Sequence, residues 1–288
     1  MALAQRPIRL AFLGCGHIGT ALLRALLPSI PQAGSPISEI TVALNRKESA
    51  TRLQNQFRDS LALVKFVSRE NVKATANADA ILFAFPPDQI QGILGAVEMR
   101  EALKHKIIIS ILARTPSTEI TRLLGDHQTS GNENTQIIRA MPTIGTEIHE
   151  SATLIAEPSS KATEAMELAS WIFNLVGKVF HVSDDYFDTA TGMSAFCNAL
   201  TMVAVQAVAQ KAVAEGVPVH HAIAISSQCI RGTVSMILEG TPPDQLKQSL
   251  SAPGSITGQA ISRLEERGLL ELVDSELTGA ISRAKNRK

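Results

Sequence analysis

Ile8-Arg9-Leu10-Ala11-Phe12-Leu13-Gly14-Cys15-Gly16-His17-Ile18-Gly19 is the stretch on which the fold turns. A short, largely apolar run passes directly into Gly-x-Gly-x-x-Gly, and Ala21, Leu22, Ala25 and Leu26 follow at helical spacing. Strand, tight turn and helix in that order form the opening unit of a dinucleotide-binding fold. Each glycine has a physical task there. Gly14 permits the tight turn, Gly16 lets the backbone approach a pyrophosphate, and Gly19 lets the helix pack closely on the strand. The helix start then presents unpaired N–H groups to the anion. Cys15 and His17 fill variable positions, where plain turn residues also serve. His17 and Ile18 join the three glycines as expected cofactor contacts.

Outward from this turn, residues 7–182 alternate β-branched runs with segments of helical period, the pattern of a parallel sheet covered by helices. Strands are expected at Ile8–Leu13, Ile40–Leu44, Ala80–Phe85, Ile107–Ile111, Gln136–Ala140 and Val179–Val182, with helices at Gly19–Leu27, Glu48–Phe57 and Pro116–Leu124. The second strand ends in Asn45-Arg46-Lys47. An Asp or Glu at this place would hold an unphosphorylated ribose, whereas two cations and an amide suit a 2′-phosphate. NADP(H) is therefore expected over NAD(H), with Asn45, Arg46 and Lys47 as contacts.

Near Asp184 the pattern changes to helix alone. One long helix is expected from Asp188 to Gly216, then Val219–Glu239, a Pro/Gly-bearing segment Gly240–Ser255, Thr257–Glu266 and Val273–Lys285. The expected organisation is α/β: an NADP-binding, Rossmann-type doubly wound sheet over 1–183, and an all-helical substrate and dimerisation domain over 184–288. The most apolar stretch, Phe196 to Ala209, reads as a buried helix, and a helix apolar nearly all round points to a subunit interface.

Composition supports a packed core. The 288 residues are 45% hydrophobic and 19% charged, which excludes a disordered or fibrous chain. Lys+Arg 27 balance Asp+Glu 27, so no global positive field favours nucleic acid. Cys15, Cys197 and Cys229 are too scattered for a disulfide framework or a CxxC metal site, and His220-His221 has no further ligand at metal spacing. No metal is expected. The amino-terminal apolar run is too short for a signal core or a span, so a cytoplasmic protein without membrane partners is expected.

The segment Leu246 to Gly268 places Pro253-Gly254-Ser255-Ile256-Thr257 just before an amphipathic helix. With the amino-terminal turn, it resembles the pyrroline-5-carboxylate reductase family, which has Pro-Gly-Gly-x-Thr there. Asp79-Ala80-Ile81-Leu82-Phe83-Ala84-Phe85-Pro86-Pro87, Ser110-Ile111, Arg139-Ala140-Met141-Pro142 and Thr191-Gly192-Met193-Ser194 match further family motifs in order. The resemblance implies hydride transfer from NADPH to the C=N carbon of a five-membered imine, giving proline. It also implies a helical domain that interlocks with a second subunit, hence a homodimer or higher oligomer. Carried over by position, Thr257 hydrogen-bonds the ring nitrogen or carboxylate, although a plain N-cap is its simpler role. Gly254 and Ser255 offer backbone N–H groups to the carboxylate, and Ala84, Phe85, Pro86, Met141 and Pro142 contact the cofactor.

Four departures bear on the substrate. Ala195-Phe196-Cys197-Asn198-Ala199 replaces the family's Gly-Ser-Gly-Pro-Ala, so Ser194, Phe196 and Asn198 are expected to shape a different substrate pocket. Thr143 stands where the family has asparagine, Phe85-Pro86-Pro87 where it has Val-Lys-Pro, and Ser255 where it has the second loop glycine. These departures motivate two alternatives: an imine reductase with a different biosynthetic substrate, and a non-catalytic NADP-binding protein. A hydroxy-acid dehydrogenase needs a proton-donating lysine early in the long helix, and none occurs before Lys211.

Overall fold

A computed structural model of the chain describes residues 7–125, 135–157, 163–252 and 254–285. Pro253 of the carboxyl-terminal loop lies outside the described residues. The order is β1 (Ile8–Leu13), α1 (His17–Leu26), β2 (Ile37–Leu44), α2 (Lys47–Gln56), β3 (Val64–Ser68), α3 (Asn71–Ala76), β4 (Ala80–Phe83), α4 (Ile90–Leu94), α5 (Val97–Leu103), β5 (Ile107–Ser110), α6 (Ser117–Leu124), β6 (Gln136–Met141), β7 (Ser151–Glu157), α7 (Thr163–Asn174) and β8 (Gly177–Ser183). Helices α8 (Asp184–Ala214), α9 (Val219–Leu238), α10 (Pro243–Leu250), α11 (Ile256–Glu266) and α12 (Leu269–Lys285) follow.

The strands form one eight-stranded sheet in the order β3-β2-β1-β4-β5-β6-β7-β8. All pairings are parallel except β6 with β7, which is antiparallel. Alternation assigns the faces. Leu10, Phe12, Val42 and Leu82 pack under α1, α2 and α7, whereas Leu13, Ile81, Phe83 and Ile108 pack under α3 to α6. Central strands buried on both faces carry nearly continuous apolar runs, which is why β1, β4 and β5 are plain in the sequence. The chain leaves β1 in one direction and returns at β4 on its other side, so the carboxyl ends of β1 and β4 flank the point where a ligand cleft opens.

Several expectations are corrected. The sheet has two strands that the hydropathy pattern missed. β3 lies at the edge and exposes Lys65 between Val64 and Phe66, leaving too short an alternation to register. β7 opens with Ser151 and Thr153, polar but buried because their hydroxyls lie 2.9 Å apart and bond to each other. The Gly240–Ser255 segment contains α10, started by Pro242-Pro243, and the long helix begins at Asp184 rather than Asp188.

The described residues divide into two compact units. One comprises the chain through Thr191 with Ala284 and Lys285, and the other runs from Gly192 to Arg283. In the second unit, a Cβ on Gly192 would meet the Ile281 Cα at 2.7 Å, which records how closely α8 and α12 approach. Phe196–Ala209 is not a buried helix within one chain: only 11% of the most apolar window of α8 is buried. The helix is long and apolar enough by length and composition to cross a membrane. Its apolar side chains have too few partners within a single copy. Met202, Val203 and Val208 on α8 and Ile223 and Ile225 on α9 are all exposed.

Candidate functional site

The glycine turn sits between two backbone hydrogen bonds. Gly14 N–H donates to Ala43 O at 2.9 Å, and Ala84 N–H donates to Leu13 O at 2.9 Å. Gly14 has φ +79°, and a Cβ there would lie 2.7 Å from Ala84 O, so conformation and space both demand glycine. A Cβ on Gly16, by contrast, would meet no protein atom within 4 Å, so this glycine keeps backbone open toward the cleft. Gly16 is also the N-cap of α1 and offers no side-chain cap, which leaves the N–H groups of the first turn for an anion. At Gly19 a Cβ would press on the Ala84 Cβ at 3.4 Å, a helix–strand packing contact.

A cleft of about 340 Å³ opens above this turn. Gly14, Cys15 and Gly16 line it on one side, and Ala84, Phe85 and Pro86, beyond β4, line it on another. The end of β2 and the outer turns of α2 supply Asn45, Arg46, Ser49 and Arg52. Asn71, Gln89 and Ile93 complete the wall. Two guanidinium groups and no carboxylate occur among the described residues that line it. The donor set, the helix start and the open Gly16 fit a dinucleotide bearing an extra phosphate. Ser49, Arg52 and Asn71 escaped the sequence reading. Ser49 and Arg52 could have been found by extending the helical phase from Arg46, since positions three apart share a face. Lys47 and Ile18 are not among the lining residues.

Cys15 is buried beside the turn. Burial pushes its thiol up to about 11, against the opposing pull of a hydrogen bond with Thr20 and the positive charge of Arg52. A thiol so held stays neutral at physiological pH and packs as a small apolar group. His17, exposed in the first turn of α1, places Nε2 3.6 Å from Glu147 Oε1 in the turn after β6.

Met141 ends β6, Pro142 follows it, and neither lines the cleft. Thr143, where the family has asparagine, holds this turn together. Its N–H donates to Ser151 Oγ at 3.0 Å, and its hydroxyl accepts from Ala152 N–H at 3.1 Å. Nearby Arg139, with only 4% of its side chain exposed, donates to Asp188 Oδ1 at 2.8 Å and Asp184 Oδ1 at 3.3 Å. Its guanidinium lies 4.3 Å from the centre of the Phe187 ring.

The candidate substrate residues belong to the second unit. Ser194, Phe196 and Asn198 lie within α8, not on a loop. Ser194 and Asn198, four apart, share one face, whereas Phe196 points to another. Gly254 has φ +80°, a conformation that a side chain disfavours. Ser255 is the N-cap of α11, its hydroxyl accepting from Gly258 N–H at 3.0 Å. The capping role considered for Thr257 therefore belongs to Ser255. Thr257 is exposed in the first turn, and its hydroxyl makes no hydrogen bond among the described residues.

Comparison with known proteins agrees with this two-part layout. Residues 184–287 match the family model described as pyrroline-5-carboxylate reductase dimerisation, and 9–114 match one described as NADP oxidoreductase, coenzyme F420-dependent. A pyrroline-5-carboxylate reductase of Neurospora crassa is 32% identical over 294 aligned positions, covering 92% of this chain and 89% of that protein. One from Schizosaccharomyces pombe is 29% identical, covering 94% and 93%. The structure of the Coxiella burnetii pyrroline-5-carboxylate reductase superposes with a TM-score of 0.80 at 25% identity, covering 97% of this chain and 98% of that one. Glycine turn, cationic cleft, capped loop before α11 and similarity along nearly the whole length converge: the chain belongs to the pyrroline-5-carboxylate reductase family.

Proposed function

We propose that this protein reduces 1-pyrroline-5-carboxylate to proline with NADPH, residues 1–183 binding the cofactor and 184–288 holding the substrate and a second subunit. The observation that carries this reading is the cleft at the glycine turn, with two arginines and no carboxylate among its described lining residues, in a chain of this family. When bound, NADPH supplies a hydride to the imine carbon. Gly14 and Gly16, with the backbone N–H groups of His17 and Ile18 in the first turn of α1, seat the pyrophosphate, Gly19 keeps the helix close to the sheet, and Arg46 with Asn45 draws the 2′-phosphate. Ala84, Phe85 and Pro86 form an apolar wall.

The chain's task toward the substrate is to hold a small anion and keep its ring nitrogen protonated. The Ser255 N–H expected to face the carboxylate is instead spent on Ala252 O at 2.9 Å. The first-turn N–H groups of Ile256 and Thr257 have no intrahelical acceptor, and with the turn at Gly254 they take the carboxylate. Thr257, with a hydroxyl committed to no other residue among those described, hydrogen-bonds the ring nitrogen. Ser194 and Asn198 on α8 contribute polar groups and Phe196 fills space. A second copy of the chain covers the exposed apolar faces of α8 and α9, as a dimerisation domain requires. We place the protein in the cytoplasm, where its three free cysteines stay reduced.

The test follows NADPH absorbance with purified protein and 1-pyrroline-5-carboxylate, using NADH as the paired control. Oxidation with NADPH preferred is expected. Phe196 and Asn198, in place of small family residues, favour a second reading in which another imine is the substrate. NADPH binding with no turnover of 1-pyrroline-5-carboxylate, followed by turnover of a different cyclic imine, would decide for it. NADPH binding without turnover of any imine would make the protein a non-catalytic binder.

A further inference from the structure

Helix α2 brings a second cation to the cleft that the strand-end motif does not contain. Ser49 and Arg52, three residues apart, share one face of the helix, and both line the cleft with Asn45 and Arg46. Arg52 has no ion-pair partner among the described residues, and neither has Arg46. Side chains on a helix lean toward its amino terminus, which for α2 is the end at Asn45 and Arg46. Arg52 lines the same cleft wall as Gly14, Cys15 and Gly16 of the glycine turn, and its positive charge acts on the Cys15 thiol there. Two unpaired guanidiniums facing one cleft repel each other unless a strong anion lies between them.

We propose that Arg52, supported by the Ser49 hydroxyl, is a specificity-determining residue that forms with Arg46 a two-sided seat for the 2′-phosphate of NADPH. This rests on the reading of the cleft as the NADPH site. A phosphate monoester carries close to two negative charges near neutral pH and offers three acceptor oxygens. Arg46 approaches from the strand end and Arg52 from the second turn of α2, and each guanidinium supplies a planar fork of donors. NADH, with a neutral 2′-hydroxyl, gains little from a second arginine.

The experiment titrates the full-length protein with NADPH and with NADH, following bound nicotinamide fluorescence at two ionic strengths without imine substrate. Arg52→Met keeps the apolar stem and removes the charge. The expected result is a loss of roughly ten- to a hundredfold in NADPH affinity, the cost of a charge-assisted hydrogen bond, with NADH affinity little changed and a weaker salt dependence for NADPH. Arg46→Met should act in the same direction, and the double variant should bind the two cofactors about equally. Unchanged NADPH affinity in Arg52→Met would overturn the proposal, leaving Arg52 a solvated charge. Equal loss for both cofactors would also overturn it, placing Arg52 on the pyrophosphate. Failure of the unmodified protein to bind either cofactor would instead bring down the cleft reading itself. A thermal midpoint matching the parent confirms that an affinity change is not unfolding.

Discussion

Ser255 and Thr257 stand two positions apart at the start of α11, and the structure gives them separate roles. Ser255 spends its hydroxyl on Gly258 N–H, so Ser255→Ala should cost about 1 kcal/mol of stability, read as a lower thermal midpoint. Thr257 caps nothing among the described residues. Thr257→Ala should therefore leave the midpoint and NADPH affinity unchanged while lowering kcat on 1-pyrroline-5-carboxylate about ten- to a hundredfold, the loss of one hydrogen bond to a charge-bearing group. Unchanged kcat would remove Thr257 from the chemistry. The sequence distinguished these two residues only through family resemblance, because a cap is defined by which hydroxyl reaches which N–H. Thr143 makes the same point. As a sequence departure it looked like a lost asparagine, yet its hydroxyl and N–H hold Ala152 and Ser151, on a strand that hydropathy did not reveal. Asn45 and Arg46 were legible because they adjoin a readable strand end. Arg52 was not, because its place in the cleft depends on helix phase.

At the scale of elements, hydropathy recovers what is buried on both sides and misses what is held by polar contacts. β4 announces itself as an unbroken apolar run, and β1 and β5 as runs broken only by Arg9 and by the terminal Ser110. β7 is fixed at its start by hydroxyl-to-hydroxyl bonds, and the first turn of α8 by an arginine from β6. Asp184 and Asp188, one turn apart, both accept from Arg139, while Phe187 between them stacks on its guanidinium. Acidic residues in the opening turns also favour the helix dipole. Arg139→Met removes the positive partner and strands two carboxylates, of which Asp188 is the more enclosed. The full penalty of about 3 to 5 kcal/mol for breaking a buried pair is reduced here because the carboxylates keep contact with water, and about 2 kcal/mol is expected. That corresponds to a fall of roughly 4 to 8 °C in the thermal midpoint. Arg139→Lys should recover only part of it, since a lysine cannot reach two carboxylates with a planar fork. A midpoint equal to that of the parent in Arg139→Met would show that α8 is anchored by other contacts.

For the whole molecule, the exposed apolar helices set the stability that a single chain can reach. Monomeric soluble proteins seldom leave contiguous apolar surface of more than a few hundred Å² uncovered. Here Met202, Val205, Ala209 and Val213 follow one another along α8 at helical spacing and, with Val219 and Ile223 at the start of α9, line a groove of about 600 Å³. Intact protein should therefore sediment as a dimer or larger assembly at micromolar concentration, and its thermal midpoint should rise with protein concentration, because association stabilises the folded chain by mass action. Met202 is 60% exposed in the single chain, so Met202→Glu leaves the fold of one copy undisturbed. In the assembly the same substitution buries an unpaired carboxylate, which costs several kcal/mol per interface. Met202→Glu should shift the sedimentation profile to monomer, remove the concentration dependence of the midpoint and lower the midpoint itself. NADPH affinity should be retained, since the cleft at the glycine turn is built from the first unit alone. If Met202→Glu sediments like the parent, the groove on α8 and α9 is not the surface that joins the copies.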